Sequence, residues 1–400
     1  MRVLLNLLVA TGRKTGIGHY ATELVESLRT TSGEDTFDTF PGPWLGWCWQ
    51  TGNRLRSIIG PKKSTASQKD KEDVTPKKPG LMTTIRGFGQ ALMNNRFQRQ
   101  CRGHSYDLYH EPNYIPFPSD LPTIATLPDL SILLHPQWHP ADRVRFFEKE
   151  IPKTLERCDH FLAISEFCRQ EILDTFSIKP ESISCTYMGV RRGLRPISAE
   201  ELPAALESAG LPPRYFLYLG TIEPRKNLLT AMRAYCALPS QLRDRWPFIL
   251  VGNWGWNTEE IHEFFHEQAR HRGVIHFGYL PEDQLSLVYN GARALIYPSH
   301  YEGFGLPPIE MMACGGAVLA STAGAHQEIV GEKAFLIDPE DEAGWRDAMC
   351  RVVEDEDWWQ SLRQGVTEHV RPFTWEKCAE ATLQVYHRVL GHISSTKQAA

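Results

Sequence analysis

The stretch Ala294-Leu-Ile-Tyr-Pro-Ser-His-Tyr-Glu-Gly-Phe-Gly-Leu-Pro-Pro-Ile-Glu-Met-Met-Ala-Cys-Gly-Gly316 decides the fold. Ala294 to Tyr297 is a short apolar run stopped by Pro298, which reads as a buried parallel strand. Ser299 to Gly305 is a loop with two glycines. Leu306 to Cys314 reads as a helix with Pro307 and Pro308 in its first turn, where a missing N–H costs little. Gly315 and Gly316 end it. A glycine loop between strand and helix is where a doubly wound sheet binds anions. The first N–H groups of the helix lack partners within it, and the helix dipole places positive potential there.

Two carboxylates, Glu302 and Glu310, frame this loop with seven residues between them. On one continuous helix they would project about 80° apart. With Glu302 in the loop and Glu310 in the helix, both can face one cleft. The spacing also suits a surface loop acid and a solvated helix acid. Glycines on both sides of the pair, beyond a strand end, favour a site.

Working outward, strands alternate with helices on both sides. Residues 2–10 read as a first strand, followed by Gly16-Ile-Gly18 and an amphipathic helix over 19–29. As a lone Gly-x-Gly, Gly16 and Gly18 fall short of a full dinucleotide fingerprint. Strands are predicted at 107–110, 121–127, 159–164 and 183–187, and helices at 143–157 and from Ser165, its N-cap. Arg191–Pro213 is rich in proline and reads as a linker. The pattern then restarts with Tyr215-Phe-Leu-Tyr-Leu-Gly-Thr221, apolar enough for a central strand. The turn Glu223-Pro-Arg-Lys-Asn227 places two adjacent cations, Arg225 and Lys226, just beyond it, well suited to a diphosphate. Further strands fall at 248–253, 274–280 and 317–320, with helices at 341–354, 357–370 and 375–390. Alternation of this kind specifies parallel α/β halves.

Composition agrees with two packed domains. The chain has 400 residues, 42% hydrophobic, with net charge −5, so bulk electrostatics give no reason to expect nucleic acid. No run is long enough to span a membrane. The nine cysteines are scattered, with no CxxC spacing, which predicts a reducing compartment without disulfides or zinc. Residues 41–105 are the least orderly. Three tryptophans fall within 44–49, Lys62 to Lys78 is charged and free of aromatics, and 81–102 carries Arg86, Arg96, Arg99 and Arg102 but no acid. That segment suits either an interfacial helix on anionic lipid or an ordinary surface helix with a solvated basic face.

The run Glu302-Gly-Phe-Gly-Leu-Pro-Pro-Ile-Glu310 resembles the Glu-x7-Glu motif of retaining glycosyltransferases of family 4, which have the GT-B fold. The resemblance implies two Rossmann-like domains facing across a cleft. Residues 1–200 would form the acceptor domain, with 41–105 as an irregular insert. Residues 201–375 would form the nucleotide-sugar domain, and 376–400 a helix crossing back. By the same resemblance Glu302 reaches the donor sugar and Glu310 the nucleotide ribose. Gly303, Phe304, Gly305 and Leu306 line the donor, Arg225 and Lys226 hold its diphosphate, Tyr279 and Leu280 flank the base, and Gly16 and Gly18 approach the phosphates. Leu127-Pro128-Asp129-Leu130 is similar to the family's His-Asp-Leu turn, with proline at the histidine's place. Proline supplies neither a ring nitrogen nor an N–H. Either Asp129 and backbone carbonyls suffice as the catalytic partners of Glu302, or His110 or His135 reaches in, or catalysis is weakened.

The implied reaction moves a hexosyl group, mannosyl first, from a nucleotide-diphosphate sugar such as GDP-mannose or a UDP-hexose to a sugar or lipid-linked acceptor. No metal or other cofactor is expected, because two side-chain cations can stand in for one. The expected location is cytoplasmic, at the inner face of the plasma membrane. A glycoside hydrolase, a nucleotide-sugar-binding protein without catalysis and a dehydrogenase are the competing readings. The hydrolase does not explain Arg225 and Lys226, and the dehydrogenase lacks its glycine fingerprint. Pro128 keeps the binding protein open.

Overall fold

The computed structural model describes residues 1–11, 16–42 and 79–399, with side chains to be considered at 91–393 in the last of these spans. The tryptophans at 44–49 and the Lys62–Lys78 stretch therefore lie outside the described residues.

Among the described residues twelve strands form two sheets, with every pairing parallel. In the first, β1 (Arg2–Asn6), β2 (Thr36–Phe40), β3 (Leu108–Glu111), β4 (Thr123–Leu127), β5 (His160–Ala163) and β6 (Ile183–Cys185) take the order β2-β1-β3-β4-β5-β6. In the second, β7 (Tyr215–Leu219), β8 (Phe248–Val251), β9 (Val274–Gly278), β10 (Ala292–Tyr297), β11 (Ala317–Ser321) and β12 (Phe335–Ile337) take the order β12-β11-β10-β7-β8-β9. Counted from its own first strand, that order is 3-2-1-4-5-6, the doubly wound arrangement. The apolar run at Tyr215 is central, as its composition predicts: Tyr215, Phe216, Leu217 and Tyr218 are fully buried, and β10 beside it buries Ala294, Leu295 and Ile296. Each such aliphatic or aromatic side chain stabilises the fold by roughly 1.5–3 kcal/mol.

Where the winding reverses, between β7 and β10, the loops leaving the carboxyl ends turn to opposite faces and leave a crevice. The sequence reads a strand to residue 10, but the first strand stops at Asn6. Asn6 Oδ1 accepts from Leu8 N at 3.0 Å, and Leu8–Ala10 tightens into a 3-10 turn. The helix Gly16–Thr31 follows, a turn earlier than periodicity alone predicts.

The helix Pro79–Gly103 spans the basic segment. Its Phe97 is fully buried among Phe40, Tyr109 and Phe117, with ring centroids 4.7–5.3 Å apart. This face is therefore fixed to the first sheet rather than free for lipid. Arg86 lies outside the described side chains. Among the described residues no helix is long and apolar enough to cross a membrane.

The chain ends on the helix Trp375–Ala399, which lies against Gly16–Thr31. The Trp375 ring meets His19 edge-on at 5.7 Å, and Tyr386 and His110 Nδ1 are hydrogen-bonded at 2.6 Å.

Candidate active site

The turn after β7 begins with Gly220 and Thr221 and closes on Asn227, a non-glycine residue in the left-handed region at φ 51°. Asparagine tolerates that conformation better than most residues. Its amide nitrogen donates to Pro298 O at 3.1 Å and Pro339 O at 2.7 Å, tying this turn to the loop leaving β10. Backbone joins them again, since His300 N donates to Arg225 O at 2.8 Å.

The two strand ends thereby bring three sequence-predicted residues together. Arg225 Nη1 donates to Glu302 Oε2 at 3.1 Å and to Tyr301 O at 2.8 Å. Lys226 Nζ donates to Glu302 Oε1 and, at 3.0 Å, to the Tyr297 hydroxyl. Ser299 Oγ adds a third hydrogen bond to the carboxylate, to Oε1 at 2.7 Å. Burial alone would raise the Glu302 carboxyl, but Lys226, then Arg225 and His326, outweigh it and hold the group far below the usual carboxylate range. Lys226 is shifted down by burial, with Glu302 opposing that shift.

The cations do not stand free. Glu223, 3% exposed, accepts from Arg225 Nη2 at 2.8 Å. Two cations thus face two carboxylates, and the cluster is locally neutral. In the sequence Glu223 reads only as the first residue of a turn. Its place two positions before Arg225, after a central strand, was the available signal.

Glu310 belongs to a different network. It is 1% exposed; Arg191 Nε donates to Oε1 at 3.1 Å and Tyr289 OH to Oε2 at 2.7 Å. Arg191 also binds Glu282 at 2.9 Å. The stretch read as a linker therefore supplies the partner of the second motif glutamate. Among the described residues Glu302 and Glu310 share no hydrogen-bond partner.

The loop between the glutamates packs across the cleft. A Cβ on Gly303 would lie 2.3 Å from Pro128 O and 3.0 Å from the Asp129 Cβ, so only glycine fits. Gly303 O accepts from Ser165 Oγ at 2.7 Å. Phe304 is 2% exposed and packs on Tyr187 and Phe373. Gly305, at φ +95°, starts the helix Leu306–Ala313, and its Cα side abuts His326. Tyr301 reaches the first sheet's loops, where its hydroxyl meets Glu171 and Leu130 N. Asp129 accepts from Ser131 N and Oγ at 2.9 and 2.7 Å.

The remaining predicted residues divide. Gly18 packs against the Val9 carbonyl, whereas a Cβ on Gly16, the first residue of its helix, would meet nothing within 4 Å among the described residues. Tyr279 is exposed beyond β9, with Leu280 half-buried beside it. His110, tied to Tyr386 and to Thr126 Oγ1 at 2.9 Å within the first sheet, does not reach Glu302. His135 stacks on Trp138 at 4.2 Å, and Trp138 stacks on His300 at 5.6 Å, a three-ring pile bridging the cleft. Among the described residues no cluster of three or more metal-binding side chains occurs.

Three buried polar atoms have no hydrogen-bond partner among the described residues: Arg225 Nε and His326 Nε2, which flank Glu302, and His139 Nδ1, on the segment that carries Asp129. Neither histidine was predicted. Buried polar atoms of this kind are met in proteins by ordered water or by a ligand.

The chain matches the sequence model of the family described as Glycosyl transferases group 1 over residues 206–369. It is 31% identical over 376 residues to O-antigen chain mannosyltransferase B of Escherichia coli, covering 93% of this chain and 96% of that protein. The chain belongs to the group 1 glycosyl transferases.

The transferase is also similar in fold to solved structures. Sucrose-phosphate synthase from Thermosynechococcus elongatus superposes with a TM-score of 0.72 at 20% identity, covering 98% of this chain and 100% of that one. Anabaena HepE, solved in complex with UDP-glucose, gives 0.70 at 16% identity, covering 99% and 100%. The transferase accordingly has the GT-B architecture, two Rossmann-like sheets facing across a cleft.

Proposed function

We propose that the transferase moves a hexosyl group from a nucleotide-diphosphate sugar to an acceptor hydroxyl, with retention at the anomeric carbon. The observation that carries this reading is the convergence of Arg225, Lys226 and Glu302 at the switch point of the second sheet, where doubly wound sheets hold their ligands. Mannosyl from GDP-mannose is the first expectation, in keeping with the activity named for the E. coli relative. A UDP-hexose is the second, in keeping with the ligand of HepE.

A nucleoside diphosphate leaves in this reaction, so stabilising the charge on it is the main catalytic task. Arg225, Lys226 and the N–H groups opening the helix Leu306–Ala313 serve that task. Removing one preorganised donor in other enzymes costs about 2.7–4 kcal/mol of transition-state stabilisation. Because Arg225 and Lys226 are paired with Glu302 and Glu223, an arriving diphosphate shares these cations with the carboxylates rather than meeting bare charge. Glu302, with both oxygens engaged, is a poor nucleophile. That supports departure and attack on one face of the sugar, with Glu302 orienting hydroxyls and Asp129 opposite it. Gly16, Gly18, Gly303, Phe304, Gly305, Leu306, Tyr279, Leu280 and Glu310 complete the proposed donor site. The acceptor is a sugar or a lipid-linked sugar in polysaccharide assembly, met at the cytoplasmic face of the membrane.

The test is incubation with a panel of GDP- and UDP-sugars, with and without lipid-linked acceptors, following nucleoside diphosphate release. Release from one donor names the nucleotide, and the product's anomeric coupling constant reads retention. An absence of both release and nucleoside diphosphate binding would overturn the reading.

A further inference from the structure

His139 lies in the connection between β4 and the helix Ala141–Arg157, 7% exposed, with Asp129 and Ser131 earlier in the same connection. Its Nε2 lies 3.2 Å from Ser131 Oγ, and Ser131 Oγ lies 2.7 Å from Asp129 Oδ1. The protons in this chain are settled by elimination. An ionised carboxylate only accepts, so the serine proton goes to Asp129. Ser131 must then accept from His139, and Nε2 carries the ring proton. Nδ1 is left as a bare acceptor, and it has no partner among the described residues. Burial, then the charge of Arg143, keeps this ring neutral, with its pKa lowered to about 4.

The ring stands at the boundary between the two sheets. It lies 6.2 Å from the ring of Trp256 on the loop after β8, and Trp256 Nε1 donates to Trp138 O at 2.9 Å, next to His139. Arg225 is close enough to act on its titration. Arg225 Nε is itself a buried donor lacking a partner. An unmet acceptor from one side of the cleft and an unmet donor from the other complement a hydroxyl, which donates once and accepts.

We propose that His139 Nδ1 accepts a hydrogen bond from a hydroxyl of the donor sugar, and that Asp129 and Ser131 fix its ring in the tautomer that permits this. The inference rests on the transferase reading above and assigns a specificity-determining contact within it. The phosphates are excluded as its partner, because they offer no proton to a bare acceptor.

A residue-by-hydroxyl cycle tests it. Native chain, His139→Gln and His139→Asn are assayed on the intact donor and on donors each lacking one sugar hydroxyl. The Gln amide reaches the Nε2 position and keeps a partner for Ser131, but leaves nothing at Nδ1. The Asn amide oxygen overlies Nδ1. His139→Gln should lose roughly tenfold in kcat/KM on the intact donor, the size of one neutral hydrogen bond in a desolvated site. On one deoxy donor, and only that one, native chain and His139→Gln should converge, and His139→Asn should recover part of the loss. An equal loss on every donor would mean that the ring merely packs, and would overturn the assignment. Should His139→Gln fail to fold, Ser131→Ala, which releases the tautomer, is read in the same cycle; a flat response there overturns it equally. Native turnover with a flat cycle removes only His139, whereas a native chain that neither turns over any donor nor binds a nucleoside diphosphate removes the transferase reading with it.

Discussion

Lys226, Arg225 and Ser299 all donate to Glu302, so its charge serves the neighbouring cations as much as any substrate. Glu302→Gln keeps the shape and removes the charge. Turnover is expected to fall by 10²–10³, about 2.7–4 kcal/mol in the transition state, while nucleoside diphosphate affinity by calorimetry stays within a few-fold. Affinity falling in step with turnover would make Glu302 a binding group instead. Titration gives a second prediction at this scale. Burial lowers the pKa of His139 and His326 to about 4, against about 6.5 unfolded. The unfolded chain therefore binds more protons between those values, and stability is lost as pH falls through that window. Each histidine contributes at most ~1.4 kcal/mol per pH unit. Glu302 has the depressed pKa of a paired carboxylate, so its contribution is present above the unfolded carboxyl range and is lost only below it. Urea midpoints should thus decline between pH 6.5 and 5, and His326→Gln should flatten that decline. A slope unchanged by the substitution would show that His326 is already protonated in the native state. Sequence could find Glu302, because glycines mark its loop. It could not find His139 or His326, whose meaning lies in a missing partner that only packing reveals.

The helix Glu166–Thr175 is capped twice, once from its own chain and once from across the cleft. Ser165 is the N-cap that the sequence predicts, its side chain accepting from Cys168 N at 3.1 Å. The second cap is Glu328, whose two oxygens accept from Glu166 N and Phe167 N at 2.8 Å each. A carboxylate at a helix N-terminus is favourable through both the hydrogen bonds and the dipole. Nothing in the local sequence of residues 321–330 points to this role, because the capped helix lies some 160 positions earlier. Losing such a cap costs about 0.5–2 kcal/mol. Glu328→Ala should therefore speed amide exchange at Glu166 and Phe167 several-fold while leaving the core strands unchanged. Exchange no faster than native would mean that the cap is not populated in solution. The strands themselves were legible for the opposite reason. A parallel strand is buried on both faces, so β7 and β10 read as continuous apolar runs wherever they sit. Their order, 3-2-1-4-5-6, was not legible, since pairing partners leave no mark in a run of uniformly apolar residues.

At the scale of the whole molecule, two segments cross between the sheets, one leaving β6 and one returning to the last helix. They touch: Val190 N donates to Phe373 O at 2.9 Å, and a Cβ on Gly189 would stand 2.4 Å from Trp375 N. The returning helix then binds the first sheet through a buried chain of hydrogen bonds. Tyr386 OH meets His110 Nδ1, His110 Nε2 meets Thr126 Oγ1, and Thr126 meets the Tyr20 hydroxyl at 3.1 Å. Tyr386 and His110 are fully buried, and burial lowers the pKa of His110 to about 3, so the ring is neutral and can accept or donate only within this chain. Tyr386→Phe preserves the packing but strands a buried ring nitrogen, at a cost of about 1–3 kcal/mol. None of the groups in the chain belongs to the second sheet. The expected outcome is a lower urea midpoint with nucleoside diphosphate affinity unchanged, since Arg225, Lys226 and Glu302 are held by β7 and β10. A loss of affinity comparable to the loss of stability would mean that the last helix sets the geometry of the second sheet's crevice as well as fastening the first.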